Sequence, residues 1–319
     1  MFYICAQPST FYYAWQVDAM LLSFEKCNVD LNKVHIVTAI HFPGIDTHFK
    51  KVESRWSEKG VVFAYYEDNR PSKTYISSVR PYILQQHWKK FPYLENEVIF
   101  YHDCDIALTK PIDNLHNMQQ DDVVYLSDTV SYIGAKYCES KGHGIFKKMC
   151  KIVDIDEDLV RAREADSGGA QYMLKPGITA NFWQTVYHDC EELFDKITKD
   201  NIEIKKEHPE YHTIQIWCSD MWAVLWNIWK SGWQTKVVKE LDFSWGTSVK
   251  KEWHANSIFH NAGVTEETYG NPFYKGNYMK NPPNTAVRPH DKWASQRYFD
   301  LVVEAWTKTT GKQIIKKRV

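Results

Sequence analysis

Residues 98–108 read Val-Ile-Phe-Tyr-His-Asp-Cys-Asp-Ile-Ala-Leu, an apolar run that breaks into an Asp-x-Asp pair and then resumes. Side chains alternate between the two faces of an extended backbone, so we expect Asp103 and Asp105 to point the same way and to reach one ion. Carboxylate oxygens suit a hard divalent cation. Such a cation stabilises negative charge on phosphate oxygens, which a departing nucleoside diphosphate requires. The stretch therefore suggests nucleotide-sugar chemistry.

A second acidic run, residues 154–158, contains two more Asp-x-Asp patterns. It resembles the start of a calcium loop, but Leu159 stands where the sharp-turn glycine is required and Ala165 where the bidentate glutamate is required. We interpret it as a solvated helix start. The pair at 103 and 105 differs because it ends an apolar, strand-like segment, where an unpaired carboxylate would be costly.

Composition restricts the class of protein. The chain has 319 residues and 44% hydrophobic content, enough to bury the core of one large domain or of a domain with an appendage. A net charge of −1 argues against a strong overall field for nucleic acid or anionic membranes, although a local basic patch stays open. No apolar run is long enough to span a bilayer, and the seven cysteines show no Cys-x-x-Cys spacing. We therefore expect a soluble cytoplasmic protein with reduced thiols and no zinc site.

The first hundred residues alternate between apolar strand-like runs and helix-like spacing. Such alternation predicts an α/β fold with a mostly parallel sheet and helices on its faces, in which ligands bind beyond the carboxyl ends of the strands. The loop at Gln7 and the Asp pair both lie at such ends. The predicted strands are 2–6, 34–40, 61–65 and the run from 98, and the predicted helices are 12–26 and 75–90.

The alternation of strand-like and helix-like segments is less regular after residue 121. Trp222, Trp226 and Trp229 recur at helical spacing, which favours a buried core stripe over a ligand platform. The segment 271–289, rich in Pro and Asn, is typical of a long surface connection or lid. The remaining predicted elements are strands at 123–126 and 170–174 and helices at 147–163, 182–199, 213–230 and 292–307.

The order of these motifs resembles that of glycosyltransferases with the GT-A fold, in particular the glycogenin-like and bacterial lipopolysaccharide galactosyltransferase-like group. The resemblance covers roughly residues 1–280 and is one of order and motif. It implies a nucleotide-diphospho-sugar transferase domain of Rossmann-like α/β type over residues 1–280. Residues 281–319 are then expected to form a C-terminal helix packed on that domain.

Carried over position by position, the resemblance assigns Asp103, Asp105 and His260 to a metal ion, Mn²⁺ or Mg²⁺. His260 lies in Ile-Phe-His-Asn-Ala-Gly, residues 258–263, where the glycine lets backbone approach a diphosphate. Lys275 lies near the family's phosphate-binding lysine, although Gly276-Asn277 replaces the Pro-Trp continuation. The full set assigned to the nucleotide-sugar donor is Ala6, Gln7, Pro8, Thr10, Arg80, Asp103, Cys104, Gly168, Gly169, Gly263 and Lys275.

Two carboxylates are candidates for the catalytic chemistry. Asp220, in Cys-Ser-Asp-Met at 218–221, matches the region that presents a carboxylate and an amide to the reacting sugar, but Ser219 stands where the amide belongs. Asp166, just before the glycine pair, is the second candidate, either for a sugar hydroxyl or as a base. The resemblance alone favours a retaining outcome.

The sequence thus predicts a metal-dependent transferase that passes a sugar from a nucleoside diphosphate to a hydroxyl. UDP is the expected nucleotide. A sugar-phosphate nucleotidyltransferase is one alternative, but no Gly-rich, Lys-bearing phosphate loop follows the first strand. A noncatalytic sugar-binding module is another, given 13 Trp, 19 Tyr and 15 Phe. The acceptor stays open among glycan, protein and a hydroxylated nucleic-acid base, the last as in viral DNA glycosyltransferases.

Overall fold

The computed structural model describes residues 1–41, 43–283 and 289–312. Ten strands lie within these residues. They are β1 Phe2–Pro8, β2 Val34–Ile40, β3 Val62–Glu67, β4 Ile99–His102, β5 Ile106–Leu108, β6 Val124–Asp128, β7 Gly168–Leu174, β8 Thr235–Val237, β9 Phe243–Trp245 and β10 Ile258–His260.

Eleven α-helices accompany them in the described residues, together with several short 3-10 turns. The helices are α1 Phe11–Lys26, α2 Thr47–Ser57, α3 Val79–Lys90, α4 Leu115–Met118, α5 Val130–Ile133, α6 Ala135–Glu139, α7 Ile145–Val153, α8 Glu157–Ala162, α9 Ala180–Glu207, α10 Ser219–Lys230 and α11 Ser295–Thr310. None of the helices in the described residues has the length and apolar character that a membrane crossing requires.

Seven strands form a sheet in the order β3-β2-β1-β4-β7-β6-β8. The pairs β1–β2, β2–β3 and β6–β8 are parallel, whereas β6 and β7 are antiparallel with a register shift after Leu126. All seven residues of β1 are buried, as expected of a strand covered on both faces. The predicted α/β architecture, a mixed and mostly parallel sheet with flanking helices, is confirmed.

The chain divides into two compact units, each discontinuous in sequence. The first consists of Met1, Asp68–Tyr101 and His116–Val238, and in it α9 packs against α3 and α10. The second consists of Phe2–Glu67, His102–Leu115 and Lys239–Val319, and in it α1 packs against α2 and α11. The predicted boundary near residue 280 stays a prediction, and residues 284–288 and 313–319 lie outside the described part.

A three-stranded sheet in the order β5-β10-β9 belongs to the second unit. Strand β10 runs antiparallel to β5 and parallel to β9, with Phe259 opposite both Ala107 and Ser244. Its strands have only three residues each, too few for a periodic signal in the sequence. This sheet determines where the residues after β4 lie.

Helix α2 was not predicted from the sequence, because its mean character is polar. Phe49, Val52 and Trp56 are nevertheless buried. Asp46 caps the helix by accepting hydrogen bonds from the backbone N–H groups of His48 and Phe49. An Asp at this position followed by 3–4 spacing was therefore the available signal.

The predicted helix over 147–163 is in fact two helices, α7 and α8. Asp154 ends the first with a left-handed φ of 58°, and the side chain of Asp156 caps the second. The acidic run is thus a helix start, as expected. The tryptophan stripe at 222, 226 and 229 is buried core, also as expected. The segment 271–289 begins with coil and a short 3-10 turn at 275–278, and its residues 284–288 are outside the described part.

Candidate functional site

The Asp pair lies in a turn. The sequence predicted that Asp103 and Asp105 continue one extended strand, but β4 ends at His102 and residues 104 and 105 form a turn before β5. That prediction of local geometry is wrong, because the chain leaves the large sheet at this point and enters the three-stranded one. Both carboxylates nevertheless lie close to the same imidazole, that of His260, through strand pairing that the spacing of the two aspartates does not indicate.

Pairing between β5 and β10 brings His260 to the Asp pair. Ile106 lies opposite His260 in the antiparallel register, and the backbone N–H of Asn261 donates to the carbonyl of Asp105 at 3.0 Å. The imidazole Nε2 of His260 then lies 3.2 Å from Oδ1 of Asp105 and 3.6 Å from Oδ2 of Asp103. Residues 155 positions apart in sequence therefore meet at one point.

Lys275 closes the other side of the same cluster. Its ammonium donates to Oδ2 of Asp105, the oxygen that does not face His260. Lys275 lies at the start of a short 3-10 turn, and Trp15 donates to the carbonyl of Tyr278 at the end of that turn. The turn is thus anchored in the core, which fixes the position of the lysine.

Burial and charge act on Asp105 in opposite directions. The side chain is only 5% exposed, and burial alone would raise the pKa of its carboxyl. The ammonium of Lys275 above all, and the neighbouring His260, outweigh burial and hold that pKa well below its usual range. Conversely, burial would lower the pKa of the Lys275 ammonium, but Asp105 raises it above the usual range. Asp105 is therefore ionised at all ordinary pH values.

The cluster fits a divalent cation. Asp103, Asp105 and His260 each offer one ligand atom, and these atoms lie within 4.8 Å of one another. Among the described residues this is the single group of three or more such side chains with that geometry. Two carboxylates and one imidazole form a hard, anionic donor set, and the half-buried Asp103 leaves one side accessible. The same three residues were predicted as ligands.

The loop after β1 is short. Only Ser9 and Thr10 separate β1 from α1, and Thr10 is exposed. Gln7 is buried and its amide donates to the carbonyl of Val37 at 3.1 Å, so part of this side chain holds β1 against β2. Its Oε1 is buried and without a hydrogen-bond partner. Of the remaining residues predicted here, Ala6 and Pro8 are buried within β1.

Gly263 and Cys104 lie beside the metal-binding candidates in sequence but differ in exposure. Gly263 is exposed and has a φ of 75°, a conformation that favours glycine. Cys104 is buried, and burial raises the pKa of its thiol well above the usual value. All seven cysteines carry free thiols. Cys104 can therefore contribute backbone atoms to a ligand but is not a reactive thiolate.

Arg80 and Asp220 form an ion pair in the first unit. The Arg80 guanidinium donates to Oδ2 of Asp220, and the hydroxyl of Tyr75 lies 2.6 Å from Oδ1 of the same carboxylate. That hydroxyl also accepts a hydrogen bond of 2.9 Å from the Asp220 backbone N–H. Both oxygens of Asp220 thus have partners, as a buried carboxylate requires. The sequence named Arg80 and Asp220, but it missed Tyr75.

A buried arginine fastens the segment that carries Tyr75 and Arg80. Arg70 forms a bidentate ion pair with Asp68, with N–O distances of 2.8 and 3.0 Å. It also donates to the carbonyl of Tyr75 at 2.9 Å and to the hydroxyl of Ser78 at 2.6 Å. The Tyr75 ring stacks on Phe194 with centroids 4.5 Å apart. The partners of Asp220 are therefore held rigidly, which no local sequence signal indicated.

The glycine pair has a packing explanation. A Cβ on Gly168 would lie 2.5 Å from Cβ of Leu126, and one on Gly169 would lie 2.8 Å from the hydroxyl of Tyr172. The next residue, Ala170, has a left-handed φ of 65°, where the register between β6 and β7 shifts. Close strand packing therefore accounts for Gly168, whereas Gly169 lies against the ends of the Met221 and Tyr172 side chains.

Asp166 has a different environment from Asp220. Its carboxylate is 34% exposed, and it forms a long ion pair with Arg163, whose Nη1 lies 3.9 Å from Oδ2 of Asp166. Its backbone carbonyl accepts a hydrogen bond from Thr235. Asp166 is thus a surface carboxylate at the end of a 3-10 turn, whereas Asp220 is buried and hydrogen-bonded at both oxygens.

Comparison with known proteins places the fold. No family model matches the chain, and no curated protein matches its sequence. Among solved structures, the bifunctional glycosyltransferase WbbM superposes with a TM-score of 0.51 at 8% identity, over 99% of this chain and 52% of WbbM. The galactosyltransferase LgtC, in complex with donor and acceptor sugar analogues, gives 0.41 at 12% identity over 95% of both chains. Mouse xyloside xylosyltransferase 1 gives 0.38 at 8% identity, over 82% of this chain and 97% of its own.

The likeness to WbbM establishes the fold, and at 8% identity it establishes the fold alone. This chain spans about half the length of WbbM. The α/β fold that the sequence predicted, that of the GT-A glycosyltransferases, is confirmed. Activity, substrates and the roles of individual residues have to be argued from the residues of this chain.

Proposed function

We propose that this protein is a glycosyltransferase that moves a sugar from a nucleoside diphosphate to an acceptor hydroxyl with the help of a divalent cation. The observation that carries the proposal is the convergence of Asp103, Asp105 and His260 immediately after β4. Ligands of open α/β sheets bind at the carboxyl ends of strands, and β4 ends at His102. The fold shared with WbbM is consistent with it.

In the transfer, the bond between the anomeric carbon and the diphosphate oxygen breaks and its electron pair leaves with the diphosphate. A bond from that carbon to the acceptor oxygen forms, and the proton of the acceptor hydroxyl passes to a base, for which Asp166 is a candidate. A divalent ion at Asp103, Asp105 and His260, Mn²⁺ or Mg²⁺, would neutralise the charge on the departing diphosphate. Asp105 is suited to hold such an ion because its carboxyl stays ionised. Lys275 adds a fixed positive charge in contact with that carboxyl.

The family resemblance assigns Arg80 and Asp220 to the donor sugar, and we keep that assignment as part of the proposal. Support comes from the rigid hydrogen bonding of the Asp220 carboxylate by Tyr75 and Arg80. A carboxylate with fixed orientation can accept a hydrogen bond from a sugar hydroxyl without reorganisation. Asp166 stays the second candidate, for a sugar hydroxyl or for the acceptor proton.

The finer parts of the proposal rest on the resemblance. They are UDP as the nucleotide, a retaining outcome and a donor site that includes Ala6, Gln7, Pro8, Thr10, Cys104, Gly168, Gly169 and Gly263. A cytoplasmic location is also part of the proposal, and it rests on the hydropathy and cysteine pattern of the sequence. The unpartnered Oε1 of buried Gln7 supports a ligand near the end of β1.

Two alternatives are less well supported. A nucleotidyltransferase would need a phosphate loop after β1, but α1 begins at Phe11, so only Ser9 and Thr10 are available. A noncatalytic sugar-binding module would have no use for three metal-ligating side chains within 4.8 Å. Transfer of a sugar therefore explains more of the described residues than either alternative.

The test is hydrolysis of nucleotide sugars by the purified protein. A panel of UDP-sugars is incubated with Mn²⁺, with Mg²⁺ and with EDTA, and release of UDP is measured. We expect metal-dependent release that falls at least ~100-fold in Asp103→Asn and Asp105→Asn, as for loss of a ligand that positions the metal. Asp158→Asn, from the exposed acidic run, is the matched control and should behave as wild type. Equal activity in all four proteins would contradict the metal site.

A further inference from the structure

Trp217 is unlike the other tryptophans of this chain. All 13 lie in the described residues, and Trp217 alone is exposed, with 59% of its surface accessible. Exposing an indole is unfavourable, and aromatic side chains that stay exposed are common where a ligand stacks on them. The question is whether this indole is fixed in place and what surrounds it.

The backbone at Trp217 is anchored. Its carbonyl lies 2.8 Å from the hydroxyl of Tyr75, and it belongs to a 3-10 turn, Ile216–Cys218, that leads directly into α10. The next residue, Cys218, is fully buried. The indole is therefore presented to solvent by a segment held at both its carbonyl and its following residue, so fraying does not explain its exposure.

Trp217 adjoins the Asp220 carboxylate. The hydroxyl of Tyr75 that contacts the Trp217 carbonyl is the same one that lies 2.6 Å from Oδ1 of Asp220. An exposed aromatic side chain three residues before a fixed carboxylate is a combination that suits a sugar ring, whose C–H face stacks while its hydroxyls donate. Trp217 and Asp220 are thus held by the same hydroxyl, through the backbone of the first and the side chain of the second.

The polar residues near Trp217 in sequence favour a carbohydrate over a nucleic acid. His212, Thr213 and Gln215 are exposed in the same segment. Residues 207–229 contain no Lys or Arg, and the guanidinium of Arg80, which lies at Asp220, is engaged by that carboxylate. Stacked nucleobases arrive with phosphates, which require basic side chains close by, whereas a neutral sugar needs only hydrogen-bonding groups.

We propose that Trp217 is a stacking platform for a sugar ring of the acceptor, so that the acceptor is a carbohydrate. This inference rests on the proposed transferase function, which it extends from the donor to the acceptor. In this arrangement the indole holds the acceptor ring and polar groups beside it bind its hydroxyls.

The experiment measures binding of the full-length protein to an array of neutral mono- and oligosaccharides, with a single-stranded oligo-dT included as a nucleic-acid probe. Wild type is compared with Trp217→Ala, with Trp217→Phe, which keeps an aromatic face, and with Tyr269→Ala. Tyr269 is an exposed aromatic at 91% accessibility in the other unit and serves as the matched control. Melting temperatures verify that each variant folds, since substitutions of exposed residues change stability little.

We expect wild type and Tyr269→Ala to bind the same carbohydrates, Trp217→Ala to bind them at least ~10-fold more weakly, and Trp217→Phe to fall within ~3-fold of wild type. Three results would overturn the inference: no carbohydrate bound by wild type, equal binding by Trp217→Ala, or Trp217-dependent binding of oligo-dT alone. Nucleotide-sugar hydrolysis by wild type is measured separately. If it is absent while Trp217-dependent carbohydrate binding is present, the transferase function fails and with it the acceptor role, whereas sugar stacking on Trp217 stands.

Discussion

The ammonium of Lys275 donates to one oxygen of Asp105 while the other oxygen of that carboxylate faces His260. The proposed cation site thus contains a fixed positive charge in contact with one of its ligands. A dication would be repelled by this lysine at short range unless an anion joins the site. On the proposed function, we therefore predict that metal and nucleoside diphosphate bind cooperatively.

Substitution of Lys275 by methionine tests this coupling. The change removes the repulsion and releases Asp105, so we expect Mn²⁺ to bind the nucleotide-free protein ~10-fold more tightly. UDP should bind the Mn²⁺-loaded variant ~10-fold more weakly, because one positive charge is lost. Calorimetric titration measures both constants, with the exposed Lys280→Met as control. Unchanged constants in Lys275→Met would show that the lysine influences neither ligand.

Tyr75→Phe tests whether the Tyr75 hydroxyl positions Asp220. The variant loses a hydrogen bond to a charged group, worth about 1.5–3 kcal/mol. If the bond orients Asp220 for the reacting sugar, kcat should fall ~10-fold or more while the donor KM changes little. Tyr65→Phe, which removes a 2.7 Å hydrogen bond to Glu53, is the matched control. A fall in melting temperature without any change in kcat would assign Tyr75 a structural role only.

Substitutions of Asp220 and Asp166 are expected to reduce sugar transfer by different amounts. Asp220→Asn should reduce sugar transfer at least ~100-fold and leave UDP binding intact, because its buried carboxylate has two fixed partners. Asp166→Asn should reduce transfer by less than ~10-fold, because its carboxylate is partly exposed and loosely paired. Steady-state rates with a confirmed acceptor decide between them. The opposite order of effects would transfer the catalytic role to Asp166.

The lowered pKa of His48 is expected to make the fold less stable in acid. It stacks on Trp306 with centroids 4.4 Å apart, and burial lowers its pKa to about 4 against the opposing effect of Asp46. An unfolded histidine titrates near ~6.5. At this position the folded state therefore binds fewer protons than the unfolded state between pH 4 and 6.5. The titration of His48 leaves the free energy of unfolding unchanged above pH 6.5 and decreases it as the pH falls toward 4.

His48→Phe removes this titration and keeps the aromatic stack. Between pH 6.5 and 4 the variant should lose less unfolding free energy than wild type, by at most about 3 kcal/mol. Chemical denaturation at several pH values measures the difference, and the exposed His212→Phe serves as control. A pH dependence identical to that of wild type would contradict the role assigned to His48.

Much of the fold was predictable because its signals are local. Strand β2 was predicted at its exact bounds, and α3 and α11 within a few residues, since their apolar spacing or runs lie within short windows. The three-stranded sheet was not predicted, because its pairing joins residues near 106 to residues near 259 through three-residue strands. Such long-range pairing leaves no periodic pattern in either segment.

The candidate site shows the same division. The Asp pair and His260 were identified from motif and spacing, although the extended geometry expected at residues 103–105 is a turn. Tyr75, Arg70 and Trp217 were not identified. Their significance comes from hydrogen bonds across the first unit and from exposure, and neither quantity can be read from residue type alone.

The central claim is that Asp103, Asp105 and His260 form a metal site that serves a nucleoside diphosphate. Its most direct test is titration of the purified protein with Mn²⁺, followed by electron paramagnetic resonance, with and without UDP. We expect about one bound ion per chain, at least ~10-fold tighter with UDP, and loss of this binding in both Asp105→Asn and His260→Ala. Binding of Mn²⁺ that is unaffected by either substitution, or no binding in the presence of UDP, would contradict it.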